Sequence, residues 1–291
     1  MQKSNHNIKT GCITGTVAKA ADRYAMDVMG LKSLTLMETA SSKIAEYVMK
    51  HYPLCGEHDL QSAAPIMVNE GGANGGAYPK RSESDGNHLK ISVLCGVGNN
   101  GADGVCASCM LLGEGYQPQV YIVGNLEKAS WEFLYQLCHF QQAGGTVTMY
   151  HPDVDTANAG EAAVMAVHLD SGTAADDASP FQANRLPDDD ILIDGIFGIG
   201  LHREIAGDYR TFIEEANRRR HGFVLAIDAP SGINTDTGEL MGCGIKADVT
   251  ITFGRNKTGL VCGAGQNFAG RVLVEDIGIP DEAYIEAETH A

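Results

Sequence analysis

Short apolar runs recur along most of the chain, separated by segments of helical length. LKISVLC (89–95), QVYIVG (119–124), GTVTMY (145–150), DILIDGIFG (190–198), FVLAIDAP (223–230), ADVTITFG (247–254) and RVLVEDIGIP (271–280) read as strands. Several are nearly continuous Val/Ile/Leu stretches, the pattern of strands covered on both faces rather than on one. Between them the apolar spacing predicts helices near 103–114, 128–143, 157–169 and 208–220. Two further helices precede the first strand, one over Thr14–Met29 and one over Ser33–Tyr52 with Ser33 as its cap. Strand alternating with helix implies an α/β chain: a three-layer αβα, Rossmann-like fold around a mostly parallel central sheet.

Two stretches break the alternation. Residues 53–88 include GGANGGAYPKRSESDGN, and residues 171–189 are acidic and alanine-rich. Neither holds enough apolar surface to form an element of its own, so both read as surface insertions in a single domain spanning 1–291. No linker divides two complete strand–helix sets.

The charge of -16, from 37 acidic and 21 basic side chains, disfavours nucleic acid and anionic membrane surfaces. It leaves room for a small phosphorylated ligand, which backbone N–H groups at a helix N-terminus can hold without net positive charge. No apolar run approaches the roughly 20 residues that span a bilayer, and the N-terminus has no signal-peptide core, so a cytoplasmic enzyme is expected. The eight cysteines are too sparse for a disulfide scaffold and read as free thiols. Cys106-x-x-Cys109 has no second pair to complete a metal site, which leaves helix packing as its role.

Candidate chemistry gathers in three loops. CGVGNNGADGVCASCMLLGEG, from Cys95 to Gly115, ends a strand, turns on glycines and opens a helix near Asp103. The Gly96-x-Gly98-x-x-Gly101 spacing fits a pyrophosphate turn, although a tight strand–helix turn without a ligand has the same spacing. Asn99, Asn100 and Asp103 add side-chain amides and a carboxylate to it. In the second loop Asp194 ends a strand, with Gly198 and Gly200 beyond it; in the third, Asp228 ends a strand before Pro230, Ser231 and Gly232. Taken singly, a strand-end Asp is equally a turn cap. All three loops fall at strand carboxyl ends, where parallel sheets bind ligands.

GVGNNGADG, DGIFGIGLHRE and DAPSGINTDTGE, in that order and separation, resemble the signature loops of the NAD(P)HX epimerase family, the YjeF N-terminal-like NAD(P)H-hydrate epimerases. The stretch TFGRNKTGLVCGAGQNFAGRVLVEDIGIP is similar to the family's last strands, so the match covers about 14–280. The resemblance implies an isomerase of metabolite repair that interconverts the epimers of NADHX and NADPHX, in which water has added to the reduced nicotinamide ring. Carried over by position, Asn99, Asn100, Gly101, Ala102 and Asp103, then Gly198, Ile199, Gly200, Leu201, His202, Arg203 and Glu204, would line the nucleotide site. Asp228 would stand beside the altered ring as the catalytic group. One potassium ion per subunit would bind Asn100, Asp194 and Ser231, whose oxygens suit a hard cation. The resemblance also implies a homodimer, with LTLMETAS (34–41) as a candidate contact, and an NAD(P)HX dehydratase as functional partner. No second domain of the roughly 250 residues a fused dehydratase needs is expected here.

The family commonly has two glycines where this chain has Gly101-Ala102. If position 102 needs a positive φ, the methyl group costs about 1 kcal/mol or shifts the loop. Two other classes are weighed against the enzyme: a non-catalytic nucleotide-binding or scaffold module of the same fold, which would not need Asp194, Asp228, Ser231 and Asn100 together, and an NAD-dependent dehydrogenase. The latter requires a ribose-binding acid after the second strand, where Asn125 stands with Glu127 two residues later, a poor match.

Overall fold

A computed structural model describes residues 11–54, 89–150 and 186–290. The expected helix at 157–169 and most of both insertions lie outside these residues. Two helices come first: α1 (Gly15–Asp27), capped by Thr14, whose side chain accepts from the Val17 amide, and α2 (Ser33–His51). Strands and helices then alternate as β1 (Ile91–Cys95), α3 (Asn99–Gly113), β2 (Pro118–Ile122), α4 (Trp131–Gln142), β3 (Thr146–Met149) and β4 (Asp189–Gly195). The chain continues as α5 (Gly207–Arg218), β5 (His221–Ile227), β6 (Val249–Phe253), a short α6 (Gly265–Phe268), β7 (Arg271–Glu275) and α7 (Asp281–His290).

The seven strands form one sheet in the order β3-β2-β1-β4-β5-β6-β7, and every pairing is parallel. From β1 the chain winds outward to β3, then returns to place β4 against the other side of β1. The β1–β4 boundary is therefore the point where the winding reverses, and ligands of such sheets bind in the crevice outside the carboxyl ends there. β1, β5 after its first two residues and β6 are buried throughout, as uninterrupted apolar runs require.

One core, built on α2, α3 and α4, includes Ile44, Val93, Val105, Phe133, Phe140 and Ile193. The opposite core, under α5, includes Leu94, Leu192, Phe212 and Ile213. These are the expected three layers. A third cluster joins α1 to α7 through Val17, Ala21, Ala25, Ala283 and Tyr284, and reaches Ile199 in the second loop. No helix among the described residues is long and apolar enough to cross a membrane.

Some local expectations change. Ser33 does not cap α2: Lys32 is at the cap, and the Ser33 hydroxyl donates to Glu132 Oε1 at 2.7 Å, tying α2 to α4. α3 starts at Asn99 rather than near Asp103. The Leu34–Ser41 stretch turns Leu36, Met37, Ala40 and Ser41 into the chain, leaving Thr35 and Glu38 outward. Cys106 and Cys109 are free thiols on α3, the former buried, as their packing role requires.

Candidate active site at the sheet's switch point

The first loop is short because α3 begins only three residues after β1. Gly98 occupies the cap position and offers no side-chain acceptor, and the first turn of α3 carries no acid. The leading N–H groups of a helix have no intrahelical partner. Gly98 and Asn99 beside them are exposed, a setting that suits an anion. Gly101 is required by close approach, since a Cβ there would collide with the Gly96 carbonyl. Ala102 needs no such licence. It lies inside α3, fully buried, with its amide donating to Gly98 O at 3.0 Å, and Asp228 is the one non-glycine with positive φ among the described residues. The methyl group therefore packs rather than strains the turn.

Asp194 ends β4, paired in register with Leu94 of β1 and Ala226 of β5. It is fully buried at 0% exposure. Its Oδ2 accepts from the Ser231 amide at 2.7 Å, and its Oδ1 from the Ser231 hydroxyl at 2.5 Å and the Ile196 amide at 3.3 Å. Burial pushes its carboxyl up to about 6, and those donors only moderate the rise. No ion pair offsets its charge among the described residues. The Ser231 hydroxyl in turn accepts from the Phe197 amide at 2.9 Å, so the second and third loops are laced together around Asp194.

Asp228 follows β5 with φ of 62°, a left-handed backbone that β-carbon sterics disfavour and that clusters at functional sites. Its Oδ1 is saturated: it accepts from Lys257 Nζ at 2.6 Å, Thr252 Oγ1 at 3.1 Å and the Phe253 amide at 3.3 Å. Lys257 is only 2% exposed, and its other two protons go to Thr252 Oγ1 at 2.9 Å and Phe253 O at 2.8 Å. The ammonium is thus spent on holding one carboxylate oxygen. The other, Oδ2, faces Gly198: a Cβ on that glycine would lie 3.4 Å from it and 2.9 Å from Asn100 Oδ1. The Asn100 Nδ2 is buried with no hydrogen-bond partner. The Asp228 carboxylate and the Asn100 side-chain amide therefore converge on a bare glycine.

The expected residues divide accordingly. Asn100, Gly198 and Asp228 meet in one recess, and Asp194 and Ser231 bond to each other. Ile199 packs toward α1 and α7, and Leu201 is buried in the α5-side core. His202, Arg203 and Glu204 are exposed; Glu204 reaches Arg210 at 3.8 Å and lies against Gly242. Glu204 also borders an open depression of about 680 Å³ with Glu239, Leu240 and Met241, which holds none of the recess residues. Lys257 and Thr252 were not singled out from sequence. A loop lysine ordinarily reads as solvated, and its burial comes from Ile13, which brackets it through Ile13 N to Asn256 O at 2.9 Å and Thr258 N to Ile13 O at 2.7 Å.

The dehydrogenase alternative loses its place in the fold. At the end of β2 the Tyr209 hydroxyl packs on Gly124, and Asn125 is occupied in capping a short turn by accepting from the Glu127 amide.

Residues 33–259 match the family model for the YjeF-related protein N-terminus. The chain is 34% identical over 266 residues to the NAD(P)H-hydrate epimerase of Limosilactobacillus fermentum, covering 91% of this chain and 95% of that protein. It is 29% identical over 272 residues to the enzyme of the same name from Lentilactobacillus buchneri, covering 93% and 95%. Among solved structures it is similar to the crystal structure of yeast YNL200c, with a TM-score of 0.63 and 16% identity over 95% of this chain and 93% of that one, a likeness of fold.

Proposed function

The chain belongs to the YjeF-related protein N-terminus family, and from that premise we propose that it is an isomerase, an NAD(P)H-hydrate epimerase that interconverts the R and S epimers of NADHX and NADPHX. The observation that carries the reading is the divided Asp228 carboxylate, with Oδ1 locked by Lys257, Thr252 and the Phe253 amide and Oδ2 open toward Gly198 and Asn100.

The substrate's pyrophosphate fits the N-terminus of α3, where unpaired N–H groups and the helix dipole compensate for the protein's negative charge. With that end anchored at the switch point, the hydrated ring reaches the recess under Gly198, where no side chain intervenes. The hydrated carbon carries a hydroxyl and the ring nitrogen, and inversion requires that centre to open or dehydrate and then re-form from the other face. Asp228 Oδ2 accepts and returns the proton this moves, a contribution typically of about 10²–10⁴ in rate. Lys257 holds and aims the carboxylate through Oδ1, and the unpartnered Asn100 amide can orient the substrate's oxygen.

The Asp194–Ser231–Asn100 region fits a bound potassium ion. A fully buried carboxylate met only by neutral donors calls for a cation, and the donor set is oxygen throughout. Potassium held there would fix the second and third loops and offset the Asp194 charge. Work in the cytoplasm alongside an NAD(P)HX dehydratase belongs to the same reading, as does a homodimer, supported by the exposed apolar side of α4 formed by Trp131, Leu134 and Tyr135. The test is to supply a single epimer, prepared from aged NADH, and follow its conversion by chromatography in potassium and then in lithium. Equilibration of the epimers, slower in lithium, is expected. An unchanged epimer in both salts would overturn the enzyme reading, and equal rates would overturn the ion.

A further inference from the structure

α1 contributes more than packing. It starts two residues after Ile13, whose backbone brackets Lys257, and its first residue, Gly15, lies against Thr235 in the third loop. The Thr16 amide and hydroxyl both donate to the Asp236 carboxylate, at 2.9 and 2.6 Å. Gly15, Ala18, Asp22 and Ala25 recur at helical spacing and share one face, buried apart from the half-buried acid. Beside that face the same cluster takes in Ile199, the neighbour of Gly198. Asp22 is the acid on that face, within electrostatic reach of Lys257 and Asp228, and among the described residues its carboxylate has no hydrogen-bond or ion-pair partner.

Resting on the epimerase reading above, we propose that Asp22 is the general acid of the reaction, paired with Asp228 as its base.

The two carboxyls sit in opposed environments, and such a split assigns acid and base. Asp228 has an ammonium on one oxygen. Asp22 has none: burial pushes its carboxyl up to about 6, with the Lys257 charge opposing and the Asp228 charge adding to the rise. The groups facing it are Lys257, Asp228, Asp103 on α3 and Tyr284 on α7. Asp103 is held well above the ordinary carboxyl range by burial, then by Asp228 and Asp22.

In the opening step Asp228 Oδ2 takes the proton of the substrate hydroxyl as its oxygen forms a carbonyl. The bond from that carbon to the ring nitrogen breaks, its electron pair passes to nitrogen, and Asp22 protonates the nitrogen. After the carbonyl rotates, the nitrogen attacks its other face, Asp22 takes its proton back, and Asp228 returns its own to the oxygen. No water, oxidant or reductant is consumed, and both acids end as they began.

The experiment compares full-length wild-type protein with Asp22→Asn, Asp22→Ala and Asp228→Asn, using a single NADHX epimer and NADPH as a binding probe. For Asp22→Asn kcat should fall at least about a hundredfold with KM and NADPH affinity within about threefold. The wild-type kcat/KM should decline as pH rises through about 6, and that limb should vanish in the variant. The melting temperature should hold or rise, because a desolvated carboxylate that repels Asp228 has been removed, whereas a purely structural role would lower it. Asp22→Ala gives the same reading should the amide disturb folding. Both Asp22 variants within threefold of wild-type kcat with the alkaline limb intact would overturn the proposal, provided Asp228→Asn is inactive. An inactive wild type would instead remove the epimerase reading itself.

Discussion

Replacing Lys257 with methionine tests whether the ammonium holds Asp228 in its working state. The side chain is 2% exposed, and its three protons are used at 2.6, 2.8 and 2.9 Å, so no water stands ready to replace it. Methionine keeps the length and apolar stem and deletes the charge. Removing one partner of a buried pair typically costs about 3–5 kcal/mol, because the other charge is left uncompensated. For a chain of this size that corresponds to a fall of roughly 6–15 °C in melting temperature. The Lys257→Met/Asp228→Asn double variant has no stranded charge and should recover more than half of the lost stability, a strong non-additivity that a double-mutant cycle reads directly. Denaturant unfolding is the assay. A single variant within about 1 kcal/mol of wild type, or a double variant as unstable as the sum of both changes, would refute the reasoning.

The remaining predictions concern the phosphate turn and the far end of the sheet. Ala102→Gly should destabilise by about 1 kcal/mol or more, since it loosens a helix and removes a buried methyl, and a stabilised protein would show that the turn had been strained. At the start of β5, burial alone would lower the His221 imidazole, but bonding to Asp189 and to Ala216 O at 2.8 Å raises it. Stability from a raised imidazole is fully present below the unfolded value of about 6.5 and lost as pH climbs through the folded one. The melting-temperature gap between wild type and His221→Gln should therefore be wider at acid than at alkaline pH, and an equal gap would count against the pair.

The sheet was legible because parallel strands buried on both faces must be apolar throughout, and β1, β5 and β6 show that directly in ISVLC, FVLAI and VTITF. α7 was missed for the converse reason. DEAYIEAETH buries only Ala283, Tyr284 and Ala287, and its place comes from α1, Arg255 over the Tyr284 ring at 4.5 Å and the Arg255–Asp281 pair at 2.8 Å. α3 begins early for a related reason. Asn99, Asn100 and Gly101 are weak helix formers, and only the approach of Gly96 to Gly101 and the buried Ala102 draw the first turn into the helix. Of the site, the three loops could be read from strand ends and glycines. That Asp228 is half occupied could not, because Lys257 meets it from 29 residues away in sequence, after the N-terminal segment has bracketed the lysine.

The most direct measurement of the central claim is epimer interconversion by Asp228→Asn, followed by chromatography with NADPH binding measured in parallel. Asparagine keeps the size of the side chain and an oxygen for Lys257 but removes the basic one. Retained binding with a rate at least about a hundredfold lower is the expected result. Near-normal turnover in a folded, nucleotide-binding variant would contradict Asp228 as the group that moves the proton.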